Sequence, residues 1–600
     1  MPNLPAEGSA NPDPTPDPPV GLRPLRVWPA IVLLLGMALF RALPGLLQNG
    51  PAMIWMSSAF GPALCGLGVL LWWVTASRAG GREKLGGFFG VILALVVTGF
   101  LVHPSLRGPL LVVLTIPMGT AGFAVGALIA RAWPTTRRTR LALTIAAVAF
   151  SFSILLKTEG MWGNFDPQLS WRWTPTAEDA LLAQREQAPP RPPTDAANPG
   201  IQLPPRAEWP GFRGPDRNSR QTGTRLASDW QNRPPKELWR ITVGPGWSSF
   251  VVAGDHLFTQ EQRGEDESVV CYAAVSGKET WTSAIKARFF DPLGGAGPRA
   301  TPTLDDGRLF AQGAQGDLVC LNPTDGTLRW QQHIGRTAGR DGPPMWGYSS
   351  SPLVVGAVVV VHAGGKDDKG VLAFDVATGK LQWSAPAGEQ SYASPQLARI
   401  AGRDAILMTS DFGLRMLDPQ TGAVILGYNW PHQGYRALQP QIVDEDTVVI
   451  PTGVGTGTRR IRFTKTDGGF KTEELWTSLQ LKPDFNDFVI YKNDIYGFDG
   501  GMFACVDLKT GIRQWKGGRY GKGQVLLLAD SGLLFVLGER GQGVLLEATP
   551  EAHRELASVP MLKGKTWNHP VVVGNRLYLR NADEAACYEL PVVSAEPAAR

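Results

Sequence analysis

Over residues 208–590 the apolar positions alternate with polar ones in short runs, the two-residue period of strands half-buried on one face. The clearest run is Ala373-Phe374-Asp375-Val376-Ala377-Thr378-Gly379-Lys380-Leu381-Gln382-Trp383. It reads as strand, Asp-x-x-Thr-Gly turn, strand: the Asp side chain hydrogen-bonds the turn backbone, and Gly accepts the positive φ. Aligned on that Gly, the unit recurs at Cys271–Trp281, Cys320–Trp330, Met416–Leu426 and Cys505–Trp515. Degenerate copies end at Trp476 and precede Leu556, and half-copies lie at Leu238-Trp239 and Cys587-Tyr588. The spacing of roughly 40–50 residues is that of a four-stranded propeller blade.

A second landmark repeats in phase, a short polar or aromatic cluster opening an apolar strand. Its copies are Trp247-Ser248-Ser249, Arg299-Ala300-Thr301, Tyr348-Ser349-Ser350, Tyr392-Ala393-Ser394, Leu438-Gln439-Pro440, Phe485-Asn486-Asp487, Gly523-Gln524-Val525 and Trp567-Asn568-His569. Both landmarks count to about eight. The predicted fold is therefore an all-β eight-bladed propeller over 208–592. The recurrent Trp is expected to dock on the small seat, Ala373 or its Cys equivalents, of an adjacent blade. The strand around Trp239 is expected to complete the last blade and remove its open edge.

The N-terminal part has a different pattern. Residues 1–24 are Pro-rich and low in complexity, which predicts disorder. Apolar stretches follow at 27–48, 53–77, 86–104, 109–131 and 140–157, each near the length that spans a bilayer. An α-helical membrane domain of five transmembrane helices is expected over 25–157, its first span interrupted by Arg41 and Pro44. Arg23 and Arg26, then Arg78, Arg82 and Lys84, then Arg131, Arg137, Arg138 and Arg140 fall in alternate loops. The positive-inside rule then puts the N-terminus in the cytoplasm of a bacterial inner membrane and the propeller in the periplasm. The Trp-rich stretch after 157 reads as interfacial, with a short helix opening at Thr176. Residues 158–207 are a juxtamembrane segment and Pro-rich linker, and 593–600 a tail.

Composition adds exclusions. A net charge of +5 over 600 residues, with no basic run in the soluble part, argues against a nucleic-acid partner. Five cysteines form neither a CxxC pair nor a disulfide framework. Lys366-Asp367-Asp368-Lys369 reads as a solvated loop. The Gly-rich stretch from Gly453 opens no helix, so it lacks the context of a phosphate loop. The spans carry no paired internal charges, which disfavours a transporter.

The A-x-D-x-x-T-G-x-x-x-W unit, almost intact at Ala373–Trp383, resembles the repeat of pyrroloquinoline quinone (PQQ)-type propellers over residues 208–590. Two branches of that family bear on function. The membrane-bound quinoprotein glucose dehydrogenases have a similar architecture, including a juxtamembrane aromatic segment and the Glu208-Trp209-Pro210-Gly211-Phe212 lead-in. That resemblance implies PQQ and Ca²⁺ on one face, sugar or alcohol oxidation, and electrons passed to ubiquinone. The outer-membrane assembly propellers use the repeat as a cofactor-free platform for envelope proteins. The chain has no adjacent Cys pair and no CxxCH for a c-type haem, and no family catalytic motif transfers residue by residue. The leading expectation is a binding or scaffold propeller, with the dehydrogenase as the alternative.

In a propeller the second landmark should form a ring on one face. Trp247, Arg299, Tyr348, Tyr392, Gln439, Lys522, Trp567 and Asn568 are candidate contacts for a planar, tricarboxylated quinone, with Arg436 and Lys565 alongside. Asn486 and Asp487 are candidate Ca²⁺ ligands, and Asp487 or His569 a candidate general base. The competing reading is that the Ser, Thr and Asn residues of the ring satisfy backbone groups at strand ends.

Overall fold

The computed structural model describes residues 24–46, 52–187, 201–453 and 455–593. The chain divides into two compact units, Met1–Lys157 with Leu169–Arg172, and Thr158–Gln168 with Trp173–Arg600.

The first unit is helical: Trp28–Leu46, Ala52–Thr75, Gly81–Leu101, Ile116–Ile129 and Thr135–Phe152. Among the described residues four apolar stretches are long enough to cross a membrane, Met56–Thr75, Gly81–Leu101, Leu111–Ile129 and Thr135–Leu155. The first expected span forms a helix, but its apolar window, Trp28–Pro44, is shorter. Arg41 inside it donates to the Val113 carbonyl at 3.2 Å, in the π-turn Leu111–Thr115, where a wider turn frees backbone acceptors. Gly122 and Gly126 let the fourth helix approach the fifth: a Cβ on Gly126 would lie 2.6 Å from the Ala142 Cα, the small-residue packing common between apolar helices. Arg138, one of the loop arginines, is buried against Glu83 at 2.5 Å.

The second unit is the propeller. Eight antiparallel meanders make up its blades, each of four strands, and the seventh carries a fifth, parallel strand at Arg220–Gln221. The eighth blade consists of Val571–Val573, Arg576–Arg580, Glu584–Glu589 and, as its outermost strand, Lys236–Thr242. Cys587 faces Trp239 in that pairing, so the ring closes as the pattern predicts.

The recurrent Trp docks differently from expectation. The small seat is its cross-strand partner within one blade: Cys271 faces Trp281, Cys320 faces Trp330, Ala373 faces Trp383 and Cys505 faces Trp515. The indole reaches instead to the turn of the following blade. A Cβ on Gly326 would lie 2.5 Å from Trp281, one on Gly379 2.7 Å from Trp330, and one on Gly511 2.8 Å from Trp476. The indole N–H of these three donates to a carbonyl of that turn, Trp281 to Pro323, Trp330 to Val376 and Trp476 to Leu508, each at 3.0 Å; Trp383 seats against Gly422 without such a bond. The turn Gly thus has two duties, a positive φ near +70° and room for a neighbour's ring. The exceptions follow. Leu426 precedes blade 5, whose third and fourth strands meet in the long hairpin Gly457–Thr466 and Gly469–Ser478 without the Asp-x-x-Thr-Gly turn. Ala557 precedes blade 8, where the turn is replaced by the closing strand.

The lead-in Trp209–Ser219 plugs the propeller axis. Trp209 pairs with Val252 of blade 1, and the Pro210 carbonyl accepts from Leu304 of blade 2. Arg217 donates to Ser351 and Pro352 of blade 3, and Gln396 of blade 4 donates to the Asp216 carbonyl. Arg213 bonds the Phe488 carbonyl of blade 6, Ser219 accepts from Leu527 of blade 7, and Phe212 packs on His569 of blade 8 at 4.8 Å. Only the axis gives one short loop access to so many inner strands.

Candidate functional site: a ring closed by its own hairpin

The second landmark forms two tiers. The lower tier is a girdle of residues at one repeat position: Ser249, Thr301, Ser351, Ser394, Gln439, Asp487, Gln524 and His569. The Thr301 hydroxyl accepts from the Ser249 N–H, Ser351 from Thr301, and Ser394 from Ser351, each at 2.9 Å. Gln439 donates to the Pro395 carbonyl and the Gln396 amide oxygen, both at 3.1 Å. Asp487 N–H donates to Gln524 at 2.9 Å, and the Ser249 hydroxyl closes the girdle on the His569 carbonyl at 2.6 Å. Blade-to-blade latching is what these residues do, the strand-end satisfaction that their types allow.

Asp487 and His569, the candidate bases, belong to this tier, and Asp487 is also a candidate metal ligand. The Asp487 carboxylate lies 2.8 Å from Arg213 Nε and 2.5 Å from His569 Nε2. It is 1 % exposed, so no substrate hydroxyl reaches it. Asn486 donates to the Gly523 carbonyl at 2.9 Å, and Asn568 to Gly246 and Ser248 at 3.2 and 2.7 Å. The free oxygens Asn486 Oδ1 and Asp487 Oδ1 are buried without a protein donor, but the one carboxylate is already matched by Arg213. Among the described residues no three His, Cys, Asp or Glu side chains cluster as metal ligands. The pair is a poor fit to Ca²⁺, which takes six to eight oxygens with several negative charges.

The upper tier is aromatic and charged. Trp247 and Trp567 lie ring against ring at 4.8 Å, and Phe485 meets Trp567 edge-on at 4.8 Å. The Lys565 ammonium sits 5.2 and 4.6 Å from the two indole rings. Burial, then the Arg299 charge, lowers the Lys565 pKa to about 8. Arg299 is held by Asp291 at 2.5 Å and by the carbonyls of Gly295, Ala296 and Gly297. Lys522 pairs with Asp484 at 2.9 Å, whose other oxygen accepts from Tyr435 at 2.5 Å. Burial would raise the Asp484 carboxyl, but Lys522 and Tyr435 outweigh it and hold it below its ordinary value. Tyr435 in turn packs on Trp346 at 4.3 Å, with Tyr392 5.2 Å from Trp346. Tyr348 is apart from this cluster: it is 3 % exposed and packed in the core between blades 2 and 3.

A segment read as interfacial completes the tier. The tip Thr158–Gln168 of the hairpin that follows the last apolar helix belongs to the propeller unit. Met161 N–H donates to the Leu293 carbonyl at 2.8 Å, and Lys565 reaches the Met161 carbonyl at 3.2 Å. Gly163 N–H donates to Glu539 at 2.6 Å, and the same oxygen accepts the Trp567 indole N–H at 2.9 Å. Trp162 lies under Arg540, 4.8 Å away. Beyond it, the helix Ala177–Gln187 opens with a reciprocal Thr176–Asp179 cap, as its sequence predicts.

This ring does not fit a PQQ group. The two indoles touch one another, so neither inner face is open to a third ring. Arg299 and Lys522, which would pair with carboxylates, are already held by Asp291 and Asp484, and Lys565 is turned to the Met161 and Leu293 carbonyls. Arg436 is likewise enclosed by the carbonyls of Ser410 and Trp430. Sequence reasoning identified most of the ring but missed Tyr435, Asp484 and Glu539, which lie in loops between the landmarks.

Residues 265–517 match the family model described as Outer membrane protein assembly factor BamB. The chain is 25% identical over 358 residues to the BamB of Burkholderia pseudomallei strain K96243, covering 55% of this chain and 84% of that protein. The crystal structure of BamB from Moraxella catarrhalis is similar at 15% identity, covering 59% of this chain and 99% of that one, with a TM-score of 0.44. The quinohemoprotein alcohol dehydrogenase ADHIIG from Pseudomonas putida HK5 is similar at 13% identity over 66% and 82%, with a TM-score of 0.40. The second unit is thus an eight-bladed propeller of the PQQ-repeat type, similar along residues 265–517 to the outer membrane assembly factors.

Proposed function

We propose that this chain is a membrane-anchored propeller of the bacterial envelope that binds a protein partner on its hairpin-bearing face, without a quinone cofactor. The loop charges favour an inner-membrane anchor and a periplasmic propeller. The observation that carries the reading is the engagement of Arg299 and Lys522 by the chain's own carboxylates and of Lys565 by the Met161 and Leu293 carbonyls, beside an aromatic patch of Trp346, Tyr392 and Tyr435 that is only partly covered. Met345, next to that patch, is 76% exposed. Rigid aromatics with one polar end, flanked by a mobile thioether, are the residue types of protein contact surfaces. The similarity to assembly factors of the outer membrane supports a protein as the ligand.

A photocrosslinking residue in place of Met345, in cells, tests it. One discrete protein adduct is expected, lost when Tyr435→Ser opens the patch and absent from the comparably exposed Val275. No adduct, or the same adducts from both positions, would sink it.

A further inference from the structure

We propose that the plugged axis of the propeller binds a small monovalent anion, held by Arg217 together with Arg213. Both guanidiniums are enclosed, at 8% and 1% exposure. Arg217 Nη1 and Nη2 donate to the carbonyls of Pro352 and Ser351 at 2.9 and 3.0 Å, and its Nε–H meets no acceptor. Arg213 Nε serves Asp487 and the Ser219 hydroxyl, and Nη2 the Phe488 carbonyl; Nη1 meets none.

The charges do not balance. Asp487 is paired with Arg213 at 2.8 Å, and among the described residues no carboxylate pairs with Arg217. The neighbouring Asp216 side chain is exposed. Burial, then the nearby Arg213 charge, lowers Arg217 to about 9, which still leaves it cationic at neutral pH. One positive charge therefore stays buried without a counter-charge, the costliest state for an ionised group. A water molecule would satisfy the two free N–H groups but leave the charge. An anion does both, and a guanidinium is the side chain suited to such a ligand.

The size follows from the enclosure. The loop closes on itself through Gly214 N–H to Gly211, Arg217 N–H to Gly214 and Ser219 N–H to Arg213, and Phe212 seals it against His569. An ion that enters so closed a loop must be small, so chloride is the probe and gluconate, several times larger, the reference. The proposal is independent of what the hairpin-bearing face binds.

The test uses the full chain in detergent, with sodium gluconate replaced stepwise by sodium chloride at constant ionic strength. The thermal midpoint of the propeller, followed by Trp fluorescence, is expected to rise by about 2 °C per tenfold chloride once the site begins to fill. Arg217→Met, which keeps the apolar stem, should flatten that response. A midpoint that ignores chloride, or an equal response in R217M, would overturn the proposal. Should R217M fail to fold, crystals of the unaltered chain soaked in bromide decide. An anomalous peak beside Arg217 Nε supports the site, and bromide at the surface only, an adventitious ion, contradicts it.

Discussion

At the scale of single residues, one Gly position explains both the repeat and its gaps. Gly326 and Gly402 share a φ of +77°. A Cβ on Gly326 meets the Trp281 ring at 2.5 Å, whereas one on Gly402 meets nothing within 4 Å. Gly402→Ala should therefore cost only the left-handed penalty, about 1–2 kcal/mol. Gly326→Ala should cost clearly more, because the indole must leave its seat; urea midpoints of the two variants give the difference. Equal losses would mean that the Trp is not docked on the turn. The repeat itself was legible because Asp, Thr, Gly and Trp each have a local reason to be there. The docking partner was not, because a sequence aligned on one blade does not show which neighbour the ring faces.

Buried charge gives a second residue-scale prediction. Burial lifts the Glu267 carboxyl to about 7 against two bonds from the Ala314 N–H. The folded protein keeps this proton to about pH 7, while the unfolded chain releases it near the ordinary 4.5. The stabilisation is full below the unfolded value and is lost as pH rises through 7, by at most about 3 kcal/mol. Glu267→Gln preserves an acceptor for Ala314 and should flatten the stability profile between pH 5 and 8. An unchanged slope in denaturant midpoints would contradict the assignment.

Among the elements, the strand Lys236–Thr242 and the hairpin tip Thr158–Gln168 do what no single residue does. The strand completes blade 8 from the other end of the chain. Replacing Lys236–Thr242 by Gly and Ser of equal length keeps the plug but bares the Glu584–Glu589 edge. Such a chain should self-associate, since an unpaired edge templates strand addition. Light scattering from a monomer with an unaltered thermal midpoint would refute the closure. This element was legible, because a half-copy at each end of the repeat array leaves one way to make a whole blade. The hairpin was not. Its Trp162 and Phe165 have the composition of a membrane-interface segment, and the bonds that seat it are made by the backbone of Met161 and Gly163. Main-chain donors and acceptors are common to every sequence.

For the whole molecule, fold and site part company. Alternation, turn chemistry and counting identify an eight-bladed propeller, and residues such as Trp247, Arg299 and Lys565 do gather on one face. What each side chain does there depends on partners such as Asp291, Glu539 and Asp484, which no repeat position marks. The same residues that would hold a quinone are joined to each other and to the hairpin, and the girdle holds Asp487 below the surface, bonded to Arg213 and His569. The most direct test titrates the detergent-solubilised full chain with PQQ and Ca²⁺ while following Trp fluorescence. No saturable quenching is expected, because Trp247 and Trp567 already cover one another. Saturable one-to-one quenching, abolished by Lys565→Ala, would contradict it and show that the ring opens to a quinone.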